Sequence, residues 1–278
     1  MLRELEFQAE YGLIAAGAVN SSFLARLPGK AWALGPVAAL SYRVASRIAN
    51  TLRAGVAARS VEELGAVRLI LFHSSPSHHE SLVDLLRTSA IQWTGKSVIF
   101  CDSGPAGAEE LRNAGASVSM LRSTAIPGRM VVEGSNPSLA FALRLIRTLR
   151  KKAIQIEAGS TAALEAAITL GTSALTPLID HCAGLLRQCG LRDSDAMKVA
   201  AALFERTARE YSHSGRQSWA WYSREPDIEN LLKQIGAVGD PLRPAVCELM
   251  ENGLRELGRN PETAARIREA LTTTRNRP

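Results

Sequence analysis

YGLIAAGAVNSSFLARL, Tyr11 to Leu27, is the stretch on which the reading of the whole chain turns. Tyr11 to Ala16 form an apolar run of strand length, a glycine follows, and SSFLARL predicts a helix behind it. A strand that turns into a helix gathers free backbone amides at one point, where phosphate can be received. The fingerprint of such a turn in dinucleotide-binding domains is G-x-G-x-x-G. Its first glycine makes the tight turn, the second lets pyrophosphate approach the backbone, and the third lets helix and strand pack closely. Here those positions hold Ala15, Gly17 and Asn20. Gly17 stands where a side chain would collide with phosphate. Ala15 is tolerable at negative φ, and Asn20 either pushes the helix from the sheet or points at a ligand. The same residues also read as a plain strand-to-helix turn, so both readings stay open at this point.

The pattern around this turn repeats. AWALGPV (Ala31 to Val37) predicts a second strand and YRVASRIANTLR a helix after it. VRLILFHS (Val67 to Ser74) and KSVIFCDSG are strands followed by the helices HESLVDLLRTSA and AGAEELRNAG. SVSMLRS is a further strand, and GRMVVEG and AIQIEA extend the sheet. Short apolar strands alternating with helices of this length predict a parallel sheet covered on both faces. From Gly159 the pattern is helical only: about thirty residues from Ser160, which Pro177 should kink or divide, then a helix capped by Asp193 and ended by Gly215. Further helices follow at DIENLLKQIG, PLRPAVCELMENGLRELG and NPETAARIREALT, the last with Asn260 as cap. The predicted fold class is an α/β domain over 1–157 followed by an all-helical domain over 158–278.

The bulk numbers narrow the field. Apolar residues at 46% and charged residues at 22% suit a soluble chain with a full core, and no apolar run is expected to reach membrane-spanning length. MLRELEFQAEY mixes acids and bases, unlike a signal peptide, so a cytoplasmic location is expected. The net charge of +6 invites anionic partners, but the basic residues are dispersed, and the densest cluster, Arg144 to Lys152, ends a predicted helix. With aromatics at 5%, no stacking platform for nucleic acid is expected. Cys101, Cys182, Cys189 and Cys247 have no metal-ligand spacing and read as free thiols, with no metal expected.

Three strand ends carry candidate binding residues. At the first, Ala16, Gly17, Ala18, Val19 and Asn20 form the turn. At the second, GPVAALSYRVASR contains no acid to hold a ribose 2′-hydroxyl; Ser41, Arg43 and Arg47 instead suit a 2′-phosphate, which favours NADP(H) over NAD(H). His73, Ser74 and Ser75 end the third predicted strand, and Asp102 ends the fourth, both facing the crevice at the carboxyl ends of parallel strands. A histidine there is also commonly satisfied by backbone, and His78 and His79 are expected to be solvated at the next helix start.

The order of GLIAAGAVNSSFLARLPG, LGPVAALSYRVASRIANTLRAG, VRLILFHSSP, GKSVIFCDSG and LEAAITLGTSALTPLIDHCAGLLRQCGL resembles a family of Rossmann-like oxidoreductases. Its relatives include deazaflavin-dependent NADP reductases, ketopantoate reductase, pyrroline-5-carboxylate reductase and 6-phosphogluconate dehydrogenase. The resemblance implies NADP bound by the first domain and a helical domain of the 6-phosphogluconate dehydrogenase C-terminal type that closes the substrate cleft and forms a homodimer. The chain departs from the family where chemistry is expected. Arg122 stands near the family's histidine, Leu164-Glu165 replaces a Tyr-His pair, and Thr172-Ser173 replaces Ser-Asn. WAWYSREPD keeps only Arg224 and Asp227 of a further motif. Arg122, Glu165 and Arg224 are therefore the candidate catalytic residues. Two functions follow: an NADP(H)-dependent oxidoreductase for a small carbonyl, imine or hydroxy-acid substrate, or a catalytically silent dinucleotide-binding or scaffold protein that retains the fold.

Overall fold

Strands form where the apolar runs lie, because both faces of the sheet are covered. The computed structural model describes residues 11–27, 33–219, 227–239, 242–257 and 261–275. In chain order the strands are β1 (Tyr11–Ala16), β2 (Leu34–Ala38), β3 (Val56–Ala57), β4 (Leu69–Ser74), β5 (Ser97–Cys101), β6 (Ser117–Ser123), β7 (Arg129–Gly134) and β8 (Lys152–Gln155). They make one sheet in the order β3-β2-β1-β4-β5-β6-β7-β8. Every residue of β1, β4 and β5 is buried, as the unbroken apolar runs require. Alternate side chains divide between two cores. Leu13, Ala15, Leu69, Leu71, Ile99 and Cys101 face α1 (Tyr42–Leu52) and α4 (Ser138–Thr148). Ile14, Ala16, Ile70, Phe72, Val98 and Phe100 face α2 (His79–Arg87) and α3 (Ala108–Asn113). Phe72 and Phe100 bring their ring centroids to 4.6 Å. Each large side chain so buried contributes roughly 1.5–3 kcal/mol.

Two expectations about this half are corrected. The sheet is parallel through β6, but β7 runs antiparallel to β6, and β8 is parallel to β7. Only residues 124–128 join β6 to β7. A parallel crossover needs a dozen or more residues, so this link can only be a hairpin. SSFLARL is not an α-helix either: two 3-10 turns, Val19–Ser21 and Phe23–Arg26, take its place. Ser21 and Ser22 donate their hydroxyls to the carbonyls of Ala18 and Val19, at 2.9 and 2.8 Å. Ser22 itself is extended, at ψ 164°. Serines that bond their own backbone offer the chain an alternative to the helical ladder, and here that alternative is taken.

The helical part comprises α5 (Thr161–Gly171), α6 (Leu175–Gln188), α7 (Asp193–Ser214), α8 (Ile228–Gly236), α9 (Leu242–Leu257) and α10 (Pro261–Arg275). Pro177 lies in the first turn of α6, where its missing N–H costs little, and the break falls before it at 172–174. Asp193 opens α7 but caps nothing: Arg192 is the N-cap, and the Asp193 carboxylate accepts from Arg187 at 2.6 Å instead. Gly215, at φ 56°, ends α7 as expected. Asp227 caps α8 by accepting from the Asn230 amide, while Asn260 lies outside the described residues. The chain divides into two compact units, Met1–Ala167 and Ile168–Pro278. In the second, Trp219 packs on a core of Leu231, Ile235, Cys247, Leu254, Ile267 and Leu271 from α8, α9 and α10. Trp221 and Tyr222, which follow it in WAWYSREPD, lie outside the described residues.

The expectation that no segment is long enough to cross a membrane is also corrected. Thr161–Gln188 is long and apolar enough for that by length and composition alone, with a mean hydropathy of 1.4 in its most apolar part. The turn at 172–174 interrupts it, and Glu165, Asp180 and His181 lie within it. No disulfide joins any of the four cysteines, and the described residues contain no group of three or more ligands that could hold a metal.

Candidate functional site

From β1 the chain winds outward to β2 and β3, and from β4 it winds the other way to β5 and β6. The crevice between the carboxyl ends of β1 and β4 is therefore a topological switch point, the place where open α/β sheets bind ligands. Ser75 closes its base: its amide donates to the Ala16 carbonyl at 3.0 Å. Gly17 follows at φ +99°, and a Cβ there would stand 2.9 Å from both Cβ and Oγ of Ser75. The retained glycine is thus required by the turn and by Ser75 before any phosphate is considered.

A cleft of about 190 Å³ opens beside this turn, lined by Gly17, Val19, Asn20, Arg47, Ile48 and Thr51. It joins two stretches that sequence could only place separately. Asn20 pushes no helix away, because none follows; it lines the cleft. Arg47 reaches the glycine turn from the middle of α1, and Arg43 lies one helical turn earlier on the same face. Both arginines are exposed, and neither forms an ion pair among the described residues. Ser41 caps α1, its hydroxyl accepting from the Val44 amide at 3.4 Å. Ala16 turns its side chain into the core and Ala18 is exposed.

The ends of β4 and β5 are tied to each other. His73 is buried and donates Nδ1–H to the Cys101 carbonyl at 2.8 Å. Ser103 donates to the same carbonyl and accepts from the Ser74 amide at 2.8 Å. His79 is not solvated as expected: it is half-buried, edge-on to Phe72 at 5.3 Å. Its Nε2 donates to the Ala106 carbonyl at 3.1 Å, which leaves Nδ1 of a neutral ring to accept from the Ser74 hydroxyl at 2.6 Å. His78 is exposed and meets the Ser75 hydroxyl at 2.8 Å. Asp102 takes a left-handed backbone, φ 49°, and spends both carboxylate oxygens on Ser123, on its amide at 2.6 Å and its hydroxyl at 2.9 Å. Beside it, burial and then the Asp102 charge push the Cys101 thiol well up, and its Sγ donates to the Ile99 carbonyl at 3.4 Å.

Two of the three candidate catalytic residues meet. Arg122 at the end of β6 donates Nη2–H to Oε1 of Glu165 on α5. The helix is set there by a buried carboxylate that sequence gave no reason to single out. Glu133 on β7 accepts from the Gly159 amide at 2.7 Å and from the Thr161 hydroxyl, fixing the start of α5. Arg224 lies outside the described residues.

With this geometry in place, three solved structures compare closely in shape. The imine reductase from Aspergillus terreus in complex with NADPH4 and a dibenzazepine has a TM-score of 0.63 at 14% identity, over 95% of this chain and 93% of that one. The reductive aminase from Aspergillus terreus with NADPH and ethyl levulinate gives 0.61 at 14%, with the same coverage. The 1-pyrroline-5-carboxylate reductase from Streptococcus pyogenes gives 0.52 at 15%, over 96% and 98%. The likeness is one of fold. It bears out the layout read from sequence, a Rossmann-like α/β domain followed by a helical region, with the sheet mostly and not wholly parallel. A family model described as "Domain of unknown function (DUF2520)" matches residues 129–219, which hold Glu133 and Glu165. No curated protein matches the chain in sequence.

Proposed function

We propose that the chain is an NADP(H)-dependent oxidoreductase acting on a small carbonyl, imine or hydroxy-acid substrate. Residues 1–157 hold the dinucleotide, and residues 158–278 serve the substrate and pair with a second copy. The observation that carries this reading is the cleft joining Gly17 and Asn20 to Arg47 at the switch point. At about 190 Å³ it takes a phosphate and its ribose, not a whole dinucleotide. The residues fit such a group: a turn without side chain at Gly17, two arginines with no ion pair among the described residues, and no acid in the first turn of α1 to repel a 2′-phosphate. NADPH, when bound, supplies a hydride. The chain's own residues orient it, and the Ser74–His79 pair holds a proton between Oγ and Nδ1 at the end of β4. The NADPH4 and NADPH bound in the two Aspergillus terreus structures support the same cofactor.

The test is the melting temperature of the full chain with NADPH, with NADH and with neither. Ligand bound by the native state raises it by mass action, and NADPH at 100 times its Kd adds about 2.7 kcal/mol. A rise with NADPH and little with NADH is expected; no rise with millimolar NADPH ends the proposal. Binding without turnover of any carbonyl or imine would identify the silent alternative. Pairing is supported by apolar side chains left exposed in the helical part, among them Ile168, Leu170, Met197 and Leu203. Light scattering is expected to give twice the chain mass of 29.9 kDa, and a monomer at micromolar concentration would remove that part.

A further inference from the structure

We propose that Arg122 is the receptor for a carboxylate on the substrate, and that Glu165 holds its place until the substrate arrives. The inference rests on the oxidoreductase reading only in calling the bound molecule a substrate. Arg122 is the last residue but one of β6, two strands beyond β4, which at about 4.8 Å per strand sets it roughly 10 Å from the switch point. Its side chain is 15% exposed, and its Nη2 donates to Glu165. Its Nε is buried and has no acceptor among the described residues. Native proteins rarely leave a buried donor of a charged group unanswered. Nε and Nη2 point along the same edge of the guanidinium, and that edge takes a carboxylate at two points. Glu165 uses half of it.

The other half identifies the ligand. A planar anion with two oxygens spaced for the fork would answer Nε and Nη2 together, exchanging a one-point contact for a two-point one. Glu165 can give way, since its side chain is 37% exposed and an ion pair with a partner that open is weak. Asp102, at the neighbouring strand end, does not compete, because Ser123 occupies both its oxygens. The substrate class is therefore a small carbonyl or imine compound that also carries a carboxylate.

Calorimetry on the full chain, with and without NADP⁺, using pyrrole-2-carboxylate and its neutral twin pyrrole-2-carboxamide, tests this. The acid is expected to bind and the amide to bind at least about tenfold more weakly. Glu165→Gln removes the internal competitor and is expected to tighten the acid about fivefold. Arg122→Lys keeps the charge, loses the two-point edge, and is expected to weaken the acid at least about fivefold. Melting curves like those of the unaltered chain show that each variant is folded. No binding of the acid, equal binding of acid and amide, or an unchanged Kd in Glu165→Gln would each overturn the assignment. Inorganic phosphate bound as tightly as the acid would overturn it too, leaving a general anion site. If NADP⁺ fails to bind, the oxidoreductase reading falls, while the acid–amide contrast is still read in the nucleotide-free chain.

Discussion

NADPH binding is expected to weaken about 100-fold when Arg43 and Arg47 are both replaced by alanine, while NADH binding changes by less than about threefold. A charge-assisted hydrogen bond contributes about 1.5–3 kcal/mol, so one good contact from each guanidinium accounts for the roughly 3 kcal/mol involved. The two residues are i and i+4 on α1, so their side chains leave the same face. Neither is held by a carboxylate among the described residues, so binding need not break an ion pair first. Arg47 lines the cleft beside Gly17 and Asn20, and its single replacement is expected to take the larger share of the loss.

The contrast with NADH makes this more than a charge effect. NADH lacks only the 2′-phosphate, so a general loss of positive field would weaken both nucleotides through their shared pyrophosphate. Ser41 is spent on the α1 amide of Val44, and its alanine variant should cost helix stability before affinity. Fluorescence titration of both nucleotides at about 0.15 M salt, where charges beyond about 8 Å are screened, isolates contacts from field. Equal losses for NADPH and NADH would move the phosphate contact away from α1.

What could be read from the sequence was what local chemistry decides. Leu69 to Ser74 and Ser97 to Cys101 are buried on both faces, so their apolar runs mark strands without any knowledge of neighbours. Strand direction is different. Nothing within Arg129–Gly134 says that it runs antiparallel; the five-residue link before it does, once the bounds of both strands are known. The helix expected after Gly17 failed because Ser21 and Ser22 bond back to the chain, a competition visible as a serine pair but easily outweighed in reading by the apolar spacing around it. The candidate site was legible residue by residue and not as contacts. Arg122 and Glu165 are 43 positions apart, and Glu133 reaches Thr161 across 28. The roles of His73 and Asp102 depend likewise on carbonyls and amides of other strands, which carry no mark in the side-chain sequence.

Gly17→Ala is expected to lower stability by about 2–4 kcal/mol and to abolish the NADPH-induced rise in melting temperature. Two independent costs add. At φ +99° any L side chain is strained, and the new Cβ would stand 2.9 Å from two atoms of Ser75. Ser75 cannot retreat freely, since its amide holds the Ala16 carbonyl and so links the ends of β1 and β4. Adding Ser75→Gly removes both colliding side-chain atoms and leaves the backbone strain and a 3.3 Å approach to the amide nitrogen of residue 75. The double variant should therefore recover roughly half of the lost stability, a coupling that denaturant unfolding can measure. Nucleotide binding separates the two meanings of the retained glycine. If it served the turn alone, the double variant would regain NADPH binding along with stability. If the backbone at Gly17 must also admit phosphate, the methyl group that still fills the mouth of the cleft keeps NADPH out of a refolded protein. The second outcome is expected, because Gly17 lines the same cleft as Asn20 and Arg47. Gly17→Ala with undiminished stability would show instead that the turn relaxes, and that the missing glycines at Ala15 and Asn20 belong to a site with less backbone constraint than its one surviving glycine implies.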